Sequence, residues 1–132
     1  MTDAQGIPLA ATVTAANVNE VTQVMQVLAD LDPVGGKPGP QREKPDRLQG
    51  DRGYDSEPVR QLLRWLGITP ILAERNTEHG SGLGRYRWFV ERTISWLHAL
   101  GRLRRRLDRL TELQEAFLRL GCAIVCVRFL NL

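Results

Sequence analysis

Two cysteines in 132 residues are too few for a disulfide framework. Cys122 and Cys126 stand four apart in an apolar stretch, with no second pair and no histidine nearby, so they read as small buried hydrophobes. The first residues have no basic start followed by an apolar run, which argues against a signal peptide. No apolar run reaches membrane-spanning length; residues 116–132 come nearest, and Arg119 and Arg128 interrupt them. These features suit a protein of a reducing cytoplasm that touches no membrane. Two glycines precede Lys37, but the G-x-x-x-x-G-K-[ST] phosphate loop is absent. There is no internal repeat. Acid is scarce late in the chain: Glu91 is the only one between Arg85 and Arg106.

Arginine is present there, in bulk. Residues 85–109 hold eight arginines against Glu91 and Asp108, net +6, whereas residues 1–40 hold Lys37 against four acids, net −3. Guanidinium forks match phosphate oxygens, so a segregated Arg block suggests nucleic acid; an arginine-solvated helix face is the bland alternative.

The order of elements predicts an α/β chain. Asp3 to Gly6 has turn chemistry, and Ile7 to Thr14 suits a strand. Asn17 or Asn19 can cap a helix from Glu20 to Leu31, with Val21, Val24, Met25 and Leu28 as its stripe. Residues 33–45, rich in Gly, Pro and charge, form a mobile loop. A short strand over 46–51, a helix from Glu57 to Leu66 capped by Asp55 or Ser56, and a strand over 69–72 make a parallel, right-handed βαβ unit. Val59, Leu62, Leu63 and Leu66 are its helical stripe, Trp65 is core or rim, and Gly67 ends the helix. Residues 74–84 form a glycine-rich loop, and 85–132 are helical. The first of these helices runs from Arg85 toward Arg109, weakened at Gly101, and buries Trp88, Phe89, Ile94, Trp96, Leu97 and Leu100. The last starts at a T-x-x-Q capping box on Thr111 and runs to Leu130, burying Leu113, Phe117, Leu120, Ile124, Val127 and Leu130.

Two acids are candidates for chemistry. Asp51 ends the strand 46–51, at the carboxyl edge where α/β folds place their sites. Glu91 lies inside the arginine helix. Two such carboxylates bind Mg²⁺ or Mn²⁺ and leave positions open for water and phosphate. The bland readings are a turn acid bonded to Gly53 or Tyr54, and an ion pair from Glu91 to Arg87. His79 contacts DNA or metal, or is a solvated loop residue. Arg104, Arg105 and Arg106 track a phosphate backbone, or form a solvated cluster.

The strings G-D-R-G-Y-D-S-E-P-V-R, H-G-S-G-L-G-R and R-W-F-V-E-R-T-I-S-W-L-H, with the opening T-D-A-Q-G-I-P-L-A, resemble the C-terminal half of DDE-type insertion-sequence transposases of the insertion sequence 5 group. The resemblance covers essentially the whole chain. It implies an incomplete ribonuclease-H-like core, a mixed sheet with flanking helices, followed by long C-terminal helices. It makes residues 1–132 part of a catalytic domain that hydrolyses and rejoins DNA at transposon ends. By motif, Asp51 matches the second acid and Glu91 the third, both metal ligands. Arg87, four before Glu91, and His98, seven after it, match the helix signature, and Arg92 joins them as a DNA contact. His98 stands where Lys is usual, and Gly84 where Tyr is usual.

The family's first acid belongs on a strand upstream of residue 1, and Asp3, in the turn after that strand, is a poor substitute. The resemblance thus implies a downstream fragment that binds Mg²⁺ or Mn²⁺ well only when the first acid is supplied, and is inactive alone. Its expected partners are double-stranded DNA and the upstream half or a full-length transposase, and its place is the bacterial nucleoid. The competing readings are a non-catalytic DNA-binding or transposase-regulating fragment, and a chain whose sheet, lacking a strand, does not fold stably.

Overall fold

The computed structural model describes residues 1–76, 84–105 and 109–130. It comprises two compact units, Val18–Gly84 and Met1–Asn17 with Arg85–Leu132.

In the first unit, Asn19 accepts from Val21 N (3.1 Å) and opens a 3₁₀ turn, Glu20–Gln23, that continues as helix α1, Val24–Ala29. Strand β1, Arg47–Gly50, pairs in parallel with β2, Thr69–Leu72, in the register Arg47↔Thr69 to Gly50↔Leu72. Helix α2, Glu57–Trp65, connects them. It stops where the sequence says it should. Gly67 takes φ +75°, its N–H bonds Arg64 O (2.9 Å), and Ile68 N–H bonds Leu63 O (2.8 Å). This paired closure needs a residue free to turn left-handed. The core joins Val24, Val59, Leu63, Ile68 and Leu72, and Val21, Leu28, Leu48, Tyr54 and Leu66 pack around it.

The α2 stripe and both strands match the expected boundaries closely. Met25 does not join the core: it is exposed. Trp65 is neither core nor rim, being 81% exposed on the polar side of α2. Ser56 holds the N-cap position of α2 without a side-chain cap bond. Within 33–45, Val34 and Arg42 form an antiparallel bridge through two backbone bonds of 2.8 and 2.9 Å. The described sheet is parallel and two-stranded.

In the second unit, the expected strand over 7–14 does not form. Only an isolated bridge, Thr2↔Pro8, is made, and residues 9–15 have no regular structure. β-branched residues suit a strand, but a strand needs a partner to take its N–H and C=O groups, and Pro8 has no N–H to give. The chain instead closes a turn. Asp3 Oδ1 accepts from Gln5 N and Ile7 N, both at 2.8 Å.

Helix α3 spans Gly84–His98, and a 3₁₀ turn, Gly101–Leu103, follows at the glycine expected to weaken it. Helix α4 spans Thr111–Arg128. Leu110, not Thr111, stands at its N-cap, so the expected capping box is one residue out of frame. The buried residues of α4 are Gln114, Gly121 and Val125. Leu113, Leu120, Val127 and Leu130, expected inside, are exposed. Helix α4 is apolar on more than one side, so spacing could not choose its face. Gly121 chose it. A Cβ there would lie 2.7 Å from Leu103 Cδ1 and 3.1 Å from Leu97 Cδ2, so these leucines press on bare backbone. On the same helix Cys122 and Cys126 are half-buried, and burial, then the neighbouring Cys126, pushes the Cys122 thiol up. Among the described residues, no helix is long and apolar enough to cross a membrane.

Candidate active site

The string G-D-R-G-Y-D forms the connection out of β1. Gly50 is the last strand residue, and a Cβ on it would meet Leu72 Cδ2 at 2.9 Å and the Tyr54 side chain at 3.3 Å. Glycine here lets Tyr54 fold back over the strand end. Asp51 follows, exposed, and its Oδ1 accepts from Gly53 N at 2.9 Å. That bond caps a 3₁₀ turn, Arg52–Tyr54. The bland reading of Asp51 as a turn acid therefore holds for one of its oxygens. Oδ2 takes no bond among the described residues.

The acid that organises this loop is Asp55. Arg75 N donates to its Oδ2 (2.7 Å), and Arg60 Nε and Nη2 donate to its Oδ1 (3.2 and 2.8 Å). The backbone N–H of Arg75, then the Arg60 side-chain bonds, hold its carboxyl below the usual range. Arg60 Nη2 also reaches Leu72 O (3.1 Å), and Arg75 donates to Arg52 O (3.0 Å) and Gly53 O (3.2 Å). Two arginines thus clamp the Asp51 loop through its carbonyls and through Asp55. From the sequence Asp51 stands out, Asp55 is expected only as an alternative cap of α2, and Arg60 and Arg75 carry no expectation. The only written signal was a second acid four places on, which does not reveal partners far along the chain.

On α3, Arg87 Nε meets Glu91 Oε1 at 2.9 Å, with both side chains well exposed (72% and 62%). The i,i+4 ion pair expected from the sequence is made. His98, the last helical residue, is also exposed, and its spacing puts it on the face that holds Arg87 and Glu91. Arg92 is placed differently. Its guanidinium lies over the rings of Trp88 (4.4 Å) and Trp96 (4.7 Å), one turn to either side, and donates to Gln5 O. Trp88 is 47% exposed rather than core, and Ile94 is 46% exposed. Trp96 is half-buried and packs on Phe129, with centroids 5.3 Å apart. Arg104 and Arg105 are exposed, whereas Arg106 and His79 lie outside the described residues.

Asp51 belongs to one compact unit and Glu91 to the other. Among the described residues, no three His, Cys, Asp or Glu side chains gather as a metal-holding group.

Comparison with known proteins identifies the class of the chain. The chain belongs to the transposase DDE domain family, whose model matches residues 1–126. It is 52% identical over 126 residues to "Putative transposase for insertion sequence element IS402" of Burkholderia cepacia. The match covers 96% of this chain and 60% of that protein, so the chain spans about three fifths of the relative's length. No solved structure matches it.

Proposed function

We propose that this chain carries the second and third acids, Asp51 and Glu91, of a DDE transposase of the insertion sequence 5 group, on part of a ribonuclease-H-like core. The complete protein hydrolyses phosphodiester bonds and transfers strands at transposon ends. The observation that carries this reading is Asp51, exposed at the carboxyl end of β1, inside a strand–helix–strand unit and a family match that runs through Glu91 as well. Residues 1–132 act as part of one catalytic domain.

Both acids are exposed hard-oxygen donors that suit Mg²⁺ or Mn²⁺. Among the described residues, Asp51 is held by one oxygen only. Glu91 leaves Arg87 at little cost, because an exposed i,i+4 pair is worth about 0.3–0.5 kcal/mol. When bound, such ions activate water and stabilise the leaving oxygen. The family's first acid comes from an upstream segment. Asp3 does not replace it, since its carboxylate closes the turn to Ile7. Arg87, His98, Arg104 and Arg105, with Arg106, meet the phosphates of double-stranded DNA in the nucleoid. Arg92 is left out of that set because Gln5 and the tryptophans engage it.

The test joins this chain to an upstream segment bearing the first acid, or supplies that segment or a full-length copy in trans, and assays cleavage of transposon-end DNA with Mg²⁺. Cleavage that falls to background in Asp51→Asn and in Glu91→Gln is the expected result. Full activity in Glu91→Gln overturns the assignment of Glu91. A second reading, a non-catalytic DNA-binding or regulating fragment, is favoured by the exposed Arg104 and Arg105. It expects salt-dependent DNA affinity that survives both acid substitutions, with no cleavage by the joined protein.

A further inference from the structure

The N-terminal turn and α3 are tied together by more polar contact than packing alone requires. The turn Asp3–Ile7 presents two consecutive carbonyls, Gln5 O and Gly6 O. Arg92 Nη2 donates to the first and Thr93 Oγ1 to the second. Thr93 is 3% exposed, and its hydroxyl also lies 3.0 Å from Phe89 O, so one proton serves two acceptors. Gly6 has φ +83°, and a Cβ on it would meet Phe89 O at 3.0 Å and Thr93 Oγ1 at 3.1 Å. No side chain fits between turn and helix. Arg92 cannot swing away freely, because Trp88 and Trp96 cover its guanidinium.

These clamps are the two residues that follow Glu91. Each helical residue advances about 100° around the axis, so Thr93 lies roughly 200° from Glu91. Anchoring Thr93 against the turn therefore turns Glu91 outward, on the face it shares with Arg87 and His98.

We propose that the turn Asp3–Ile7, with its clamps Arg92 and Thr93, is a positioning device that sets the rotation of α3 and so aims Glu91. This rests on the reading of Glu91 as a metal-binding acid. Arg92 and Thr93 are positioning residues: they touch neither metal nor DNA. Loosening them leaves the carboxylate in place on the helix but misdirected. Groups hydrogen-bonded to a metal ligand typically contribute about 10–100-fold to metal affinity, and a device that acts on Glu91 through the helix backbone is expected at the lower end of that range.

The test has two readouts. In the 132-residue chain, nuclear Overhauser contacts between the Gly6 α-protons and Thr93 report the clamp, and a thermal melt reports folding. In the joined protein, Mn²⁺ affinity is read from the paramagnetic resonance of free Mn²⁺, well below the melting temperature. Thr93→Val, which removes only the hydroxyl's bonding, is expected to lose the contacts and weaken Mn²⁺ binding about tenfold or more, and Thr93→Ser to restore both. Arg92→Gln gives the same pattern and stands in if Thr93→Val does not fold. Wild-type Mn²⁺ affinity in a folded variant that has lost the contacts overturns the positioning role, as does absence of the contacts in the wild type. Glu91→Gln separates the two ideas. If it leaves Mn²⁺ affinity unchanged, the metal-ligand reading fails, and the positioning proposal with it. If it weakens binding while Thr93→Val and Arg92→Gln do not, the positioning proposal alone fails.

Discussion

Arg60 grips Asp55 with both Nε and Nη2 and uses the same Nη2 to bond Leu72 O, the last residue of β2. One side chain of α2 therefore ties the loop after β1 to the end of the neighbouring strand. Asp51 is held within this framework, four residues before the acid that anchors it.

Acid should loosen that anchor. The Asp55 carboxyl titrates below its ordinary 3.8 in the folded chain, so its stabilisation is complete above pH 3.8. It is lost as pH falls through the lowered folded value. Urea midpoints measured from pH 7 downward should fall steeply in this range for the wild type. Asp55→Asn should start lower and lack that part of the slope.

Gly121 sets a balance between two opposed effects. Alanine in a helix interior gains about 1 kcal/mol over glycine. The new Cβ would sit 2.7 Å from Leu103 Cδ1, and overpacking costs about 1–3 kcal/mol. Gly121→Ala should be near neutral to mildly destabilising, and Gly121→Val clearly destabilising by denaturant titration. A stabilised valine variant would show that the leucines do not press on α4.

Leu63 is fully buried at the centre of the Val18–Gly84 unit. Leu63→Ala should cost about 2–5 kcal/mol in chemical denaturation, since the surrounding helix and strands cannot collapse fully into the space.

The ion pair of Arg87 and Glu91 should separate stability from activity. Its side chains are largely exposed, so Glu91→Gln should change unfolding free energy by no more than about 0.5 kcal/mol. Cleavage by the joined protein should nevertheless fall to background.

Arg104 and Arg105 are exposed after the 3₁₀ turn. Replacing both with alanine should lower the slope of log affinity against log salt by about 2 in DNA titrations, roughly 1 per lost phosphate contact. An unchanged slope would remove them from the DNA surface.

The part of the chain that could be read directly lies between Asp46 and Leu72. There every signal is short-range: an apolar stripe of Val59 and Leu63, a glycine at the stop of α2, and strands of four residues on either side. Neighbouring residues decide such features, so spacing suffices. The i,i+4 pair of Arg87 and Glu91 was legible for the same reason.

Tertiary structure decided the rest. On α4, apolar on more than one side, the leucines that approach Gly121 selected the buried face. Arg92, written as one more arginine in a basic helix, is engaged by Gln5, and Thr93 by Gly6, each partner 87 residues away in sequence. Asp55 outranks Asp51 as the loop's anchor because Arg75 lies twenty residues downstream of it. Local propensity fixed the bounds of β1, α2 and β2. Which polar group meets which is set by distant backbone carbonyls and carboxylates that only folding brings within reach.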